Sequence, residues 1–174
     1  MYLRGTENAL AIWDKIMDVG KSYGMIASVP NRIRRIEAGI LDYSVDMDET
    51  VNPFEIGLSR LVHLDGPDFV GKTALIEARD KGLSRMLVGV SVSGEPLAYN
   101  EYPWNALSAE GHAIGHISSI VWSPRLQSNI GLAMLDISNC AIGDKLVVQT
   151  VDGNRDAVVV EKPFVDATKS KARA

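Results

Sequence analysis

Residues 113–122, AIGHISSIVW, and 129–137, NIGLAMLDI, decide the fold: both are short, apolar and rich in β-branched residues, and only SPRLQS separates them. Working outward, RMLVGVSVS (85–93), KLVVQTV (145–151) and AVVVEK (157–162) read as further strands. Asp152 and Gly153 within VDGNRD mark a hairpin turn, and IGD marks another before KLVVQTV. Five or six strands in about 80 residues fit a closed or nearly closed antiparallel barrel better than an open sheet with exposed edges. No comparable helix signal occurs between 84 and 165, so a boundary is placed there: a helical segment over 1–83 and a barrel over 84–174.

Ahead of that boundary the pattern is helical. TENALAIWDKIMDVGKSYG has a hydroxyl to cap it at Thr6, apolar positions at Ala9, Trp13, Ile16 and Met17, and Gly24 to stop it. MIASVPN reads as a short strand closed by Pro30. Arg32 to Ala38 reads as a short helix with Ile33, Ile36 and Ile40 near helical spacing and Gly39 at its end. Asp46, Asp48 and Glu49 read as a solvated acidic loop, since they lack the glycine and distant glutamate of a calcium loop. Pro53 suits the first turn of another helix. Gly71 to Lys81 reads as a surface helix closed by Gly82, with Asp68 or Thr73 near its start.

Composition narrows the function classes. The 174 residues are 46% hydrophobic with a formal net charge of −4, and basic residues cluster only at Arg32–Arg35 and Lys169–Arg173. That balance argues against a nucleic-acid surface, which needs a basic face. No apolar run reaches the roughly 18 residues that span a bilayer, so a membrane is not an expected partner. The single cysteine, Cys140, cannot close an internal disulfide, which fits a reducing cytoplasm, and it reads as a small packed residue rather than a nucleophile. His112 and His116 have strand rather than helix context and lack further ligands for zinc, so they read as surface histidines and no metal is expected. Trp104, Trp122, Tyr99 and Tyr102 read as core or rim packing, and the last residues as a frayed tail.

Four stretches in order carry a resemblance: RRIEAGILDYSVDMDETVNPFEIGL (34–58), DFVGKTAL (68–75), VWSPRLQSNIGLAMLD (121–136) and VVVEKPFV (158–165). Together they resemble the C-terminal half of the glycine-cleavage T-protein, or aminomethyltransferase, family. The fold this implies is α+β: a short α/β segment belonging to a folate-binding core, followed by a C-terminal antiparallel β-barrel. The function it implies is transfer of a methyl or aminomethyl group from a small donor to tetrahydrofolate.

The resemblance also implies that the family's catalytic aspartate lies in an N-terminal half without counterpart here. No catalytic residue is therefore expected in this chain, and its expected partner is that missing half or a separate chain supplying it. Folate offers a flat pterin and a tail with two carboxylates, for which arginines and a pterin-binding carboxylate are the matching groups. The candidate folate- or donor-binding residues are Asn31, Arg32, Arg35, Glu37 and Arg60. Arg34 with Glu37, and Arg32 with Arg35, are helical neighbours, so the run also suits a solvated face laced with ion pairs. Asn31 stands where glycine-cleavage enzymes have an arginine, eight residues before the glycine of EAG, and Arg60 where they have a tryptophan. These departures point toward the tetrahydrofolate-dependent demethylase-like branch. The alternative is a non-catalytic folate-binding or protein-docking module. The cysteine motif of the iron–sulfur maintenance relatives is absent near DFVGKTAL.

Overall fold

The computed structural model describes residues 5–168 and 170, so the basic cluster at 169–173 and most of the expected tail lie outside the described residues. The chain forms two compact units, residues 1–31 and 32–174.

In the first unit α1 runs over Ala9–Gly20 and continues as a 3-10 turn, Lys21–Tyr23. It starts later than Thr6 suggests: Asn8 is the N-cap residue and makes no side-chain cap. Gly24 ends it in the left-handed region, φ 69°, with Met25 N bonded to Gly20 O and Gly24 N to Lys21 O, the paired bonds of a Schellman motif. Only Gly20 of α1 is buried; Leu10, Trp13, Ile16 and Val19 of its apolar set are exposed. The strand expected over MIASVPN does not form, and Met25, Ile26 and Val29 are exposed. A strand needs a neighbour for its backbone groups, and no strand lies in this unit among the described residues.

The second unit begins with α2, Arg32–Glu37, and α3, Lys72–Lys81. Gly71 leads into α3 at φ 92° without a side-chain cap, and Thr73 is its second residue, near the start as expected. Six strands follow: β1 Arg85–Val92, β2 Trp104–Leu107, β3 Ala113–Ser123, β4 Ser128–Asp136, β5 Lys145–Thr150 and β6 Gly153–Val160. They close an antiparallel barrel in the order β1-β4-β3-β2-β5-β6. All five expected strands are present. The sixth, β2, carries too few apolar residues to stand out from its loop. The β5–β6 turn falls on Val151 and Asp152, one residue earlier than expected, with Thr150 facing Gly153.

Alternate side chains fill the barrel. Val88, Val90 and Val92 of β1 meet Ile117 and Ile120 of β3, Leu135 of β4 and Val148 of β5 in one interior cluster. The opposite faces of β1, β3 and β4 are covered too. Leu87, Leu132 and Met134 pack beneath Leu41, Met47, Ile56 and Phe164, while Val121 and Ile130 pack beneath Ile36 of α2. Burial on both faces is why these strands read as continuous apolar runs, whereas β5 and β6 alternate.

The chain after β6 returns across this covered wall. Residues 162–164 cross β1 at Gly89, where an added Cβ would lie 3.1 Å from Phe164 and 3.3 Å from the Lys162 Cβ, so a side chain there would press the strap outward by a few tenths of an ångström. Val165 N then bonds the backbone oxygen of Glu37 at 2.9 Å, tying this strap to the end of α2.

Candidate functional site

The site grows from the short helix α2. Ile36, with no exposed surface, seats it on the barrel. That seating turns Glu37 inward, where it is buried and accepts a 2.6 Å hydrogen bond from the Ser123 hydroxyl. Arg35 also turns inward. Its Nη1 donates to Asp46 Oδ2 at 2.6 Å and to Ile40 O at 3.1 Å, and its Nη2 donates to Ser119 Oγ at 2.8 Å. Asp42 lies 3.7 Å from Arg35 Nε.

Asp46 departs from the solvated loop expected of it: its side chain is fully buried. Its Oδ1 accepts 2.6 Å bonds from both Ser118 and Ser119. Consecutive residues of a regular strand point to opposite faces, so they cannot share one oxygen. A bulge between Ile117 and Ser119 breaks that alternation and turns both hydroxyls toward the outer wall. Asp48 and Glu49 are exposed, as expected.

The other candidate residues are exposed. Arg32 places its guanidinium carbon 4.0 Å from the centroid of Tyr99, a cation–π contact that leaves its donors facing outward. Asn31 is exposed and immediately precedes α2. Ile40 lies past the helix end and is exposed rather than on its buried stripe.

Arg60 sits on a 3-10 turn, Ser59–Leu61, and faces a cleft of about 400 Å³ lined by Gly39, Leu41, Gly57, Lys162 and Pro163. Two tight chain reversals shape it. Gly39, φ 63°, closes α2 through Ile40 N to Arg35 O and Gly39 N to Ile36 O. Gly57, φ 75°, closes the single turn started at Pro53, all that forms of the short helix that proline suggested, with Leu58 N bonded to Pro53 O. At the start of that turn Asn52 Oδ1 accepts from Glu55 N while Glu55 Oε2 accepts from Asn52 N, the reciprocal bonds of a capping box. Both glycines hold left-handed backbone that a side chain disfavours, and the strap passes between them.

Lys162 is the residue that sequence reasoning missed. Half-buried on the strap, it titrates well below an ordinary lysine, at about 8, because burial penalises its charge; the charge of Asp46 opposes this only in part. The motif EKPFV gave one signal, a lysine directly after a buried strand and before proline. Its surroundings depend on the crossing at Gly89.

Elsewhere the chemistry is quiet. Cys140 is buried, its thiol directed at the backbone oxygens of Leu135 and Asp136, and burial pushes its pKa up. His112 is exposed, while His116 is half-buried, so only the first is the surface residue expected; burial and Arg85 hold His116 below the usual imidazole value. Among the described residues no three His, Cys, Asp or Glu side chains converge as a metal site, and no helix is long and apolar enough to cross a membrane.

A six-stranded barrel walled by a short arginine-rich helix and a glycine-bounded cationic cleft defines an α+β protein with the architecture of a T-protein C-terminal barrel. Residues 85–166 match the glycine cleavage T-protein C-terminal barrel domain, residues 2–66 match the GCVT N-terminal domain, and the chain belongs to the glycine-cleavage T-protein family. It is 35% identical to the aminomethyltransferase of Caldanaerobacter subterraneus over 91% of this chain and 42% of that protein. It is 32% identical to the dimethylsulfoniopropionate demethylase DmdA of Ruegeria pomeroyi over 92% of this chain and 43% of that protein. The chain thus spans less than half the length of these curated relatives. Its fold matches the glycine cleavage system aminomethyltransferase T of Bartonella henselae with a TM-score of 0.71 and 21% identity, over 78% of this chain and 38% of that one.

Proposed function

We propose that this chain contributes the barrel and one wall of a tetrahydrofolate site in a one-carbon transferase that moves a methyl or aminomethyl group from a small donor to folate. The observation that carries this reading is the presence, in order in one chain, of matches to both domains of the family. In this reading residues 1–83 belong to the folate-binding region and 84–174 form the closing barrel, and the protein works in the cytoplasm.

The geometry supports a division of labour. Arg35 and Glu37, both held from within, fix α2 on the barrel and act as positioning residues. Arg32 and Arg60 are exposed and offer donors to folate or to the one-carbon donor, and the binding role of Asn31 rests on its place in the family pattern. Catalysis in such a site is orientation and electrostatics around the folate nitrogen. The carboxylate for that step comes from a partner segment corresponding to the remaining length of the relatives. The exposed apolar residues of α1, Leu10, Trp13 and Val19, suit burial against such a segment.

Titrating tetrahydrofolate into this chain, alone and with an N-terminal half from a relative, tests the reading. Binding, together with methyl or aminomethyl transfer only when the second half is supplied, is the expected result. Turnover by this chain alone refutes the need for a partner. Absence of binding in both arrangements refutes the folate reading and favours a protein-docking module.

A further inference from the structure

Arg60 and Lys162 bring two cations to one concavity, and among the described residues neither has an acidic side chain at ion-pair distance. The acid that Lys162 senses electrostatically is Asp46, whose two oxygens are already engaged by Arg35, Ser118 and Ser119. The ammonium has a fixed place: its stem crosses Gly89, and its Nζ lies 3.8 Å from where a Cβ on Gly57 would stand. A second positive group on the same wall is unfavourable unless an anion joins the pair.

We infer that Lys162 and Arg60 form a carboxylate-binding subsite in the cleft between Gly39 and Gly57, with Arg60 supplying a planar fork of donors and Lys162 a half-buried point charge. This deepens the folate-transferase reading and rests on it for the choice of ligands. Both folate, through its glutamate tail, and a carboxylate-bearing one-carbon donor present the required group. A planar carboxylate matches one guanidinium and one ammonium, and the turns at Gly39 and Gly57 add no side chain of their own to the cleft.

The test is competitive acylation of the whole 174-residue chain at pH 8. Modification of Lys162 is read by peptide mass against exposed Lys81 as internal reference. Tetrahydrofolate and p-aminobenzoylglutamate are expected to slow Lys162 modification about fivefold or more, a loss of reactivity expected of an ion-paired ammonium, while tetrahydropterin without the tail leaves it unchanged. Lys162→Gln is expected to weaken the tail-bearing ligands about tenfold, the scale of one charge-assisted bond, and leave tetrahydropterin affinity unaltered.

Protection by propionate but not by p-aminobenzoylglutamate assigns the subsite to the donor and sustains the inference. Inorganic phosphate protecting more strongly than every carboxylate, or no protection by any of them, overturns it. Tetrahydrofolate binding with Lys162 unprotected and Lys162→Gln silent overturns the subsite and leaves the transferase reading standing. Carboxylate protection without tetrahydrofolate binding does the reverse.

Discussion

Arg35 Nη1 lies 2.6 Å from Asp46 Oδ2 beneath α2, with the arginine side chain 14% exposed and the aspartate side chain fully buried. The pair joins three pieces of chain distant in sequence: the helix, the loop after it and the bulge of β3. Both aspartate oxygens are occupied, so the desolvation of the carboxylate is matched by directed bonds, while Arg35 Nε is buried without a hydrogen bond. Arg35 thereby sets where Arg32 and the α2 terminus stand relative to the barrel.

Removing Asp46 alone leaves the Arg35 guanidinium without its close counter-charge, Asp42 standing 3.7 Å from Nε, and takes the carboxylate acceptor from both serine hydroxyls, of which Ser118 keeps Leu132 O. Asp46→Ala is expected to cost about 3–5 kcal/mol, the range for breaking one side of a buried pair. Arg35→Met with Asp46→Leu is expected to lose less than the sum of the single changes, because no uncompensated charge remains. Urea unfolding of the unchanged protein, Asp46→Ala, Arg35→Met, Asp46→Leu and the double variant measures both. A loss below about 1 kcal/mol for Asp46→Ala contradicts the hub described here.

Three strands of the barrel were legible because interior and wall bury alternate residues of the same strands, so β1, β3 and β4 stand out as apolar runs with little polar interruption. β2 has four residues, and its place depends on β3 and β5 beside it, which no local signal encodes. MIASVPN misled because apolar composition suggests a strand whether or not a partner is present. In the site, Arg35 and Glu37 were legible as residues of interest but not their partners. Ser119 and Ser123 lie 84 and 86 residues further along the chain. Asp46 looked solvated because its neighbours Asp48 and Glu49 are; only the bulge at Ser118 distinguishes it. Lys162 gained its environment from a crossing over Gly89, a long-range event.

Cys140 offers a probe of barrel integrity. Its thiol is buried and its pKa raised by that burial, so the reactive thiolate is scarce at neutral pH. A disulfide reagent is expected to label it at a rate set by opening of the barrel, rising steeply with denaturant. Fast labelling in native buffer, independent of denaturant, contradicts the packing between β1 and β4.

Gly57 tests the left-handed turn that shapes the cleft. At φ 75° an L side chain is strained, and Gly57→Val adds β-branching to the strain. Gly57→Val is expected to cost about 1–2 kcal/mol and Gly57→Asn clearly less, since asparagine tolerates this region. Thermal unfolding ranks the two. Equal losses argue that crowding at the cleft, rather than backbone conformation, sets the requirement.

Lys162 makes a prediction whose sign separates a binding residue from a structural one. Its pKa falls from 10.5 to about 8 on folding, so the folded state disfavours its proton. Below about 8 the lysine is charged in both states and the full penalty applies. Between that value and 10.5 the folded chain releases the proton while the unfolded chain keeps it, so the penalty shrinks as pH rises. The charge acting on it is that of Asp46, which opposes the shift, and Arg60 lines the same cleft. Lys162→Met, which keeps the apolar stem over Gly89, is expected to be more stable than the unchanged protein at pH 7 by about 1–3 kcal/mol, under a ceiling of about 3.4 kcal/mol set by the fall from 10.5 to about 8 at roughly 1.36 kcal/mol for each pKa unit. That advantage is expected to narrow toward pH 10.5, and at pH 7 to shrink when a carboxylate ligand is added. Chemical denaturation across this range reads all three. A variant less stable at pH 7, or an advantage that does not change with pH, means that the ammonium stabilises the strap instead of waiting for an anion.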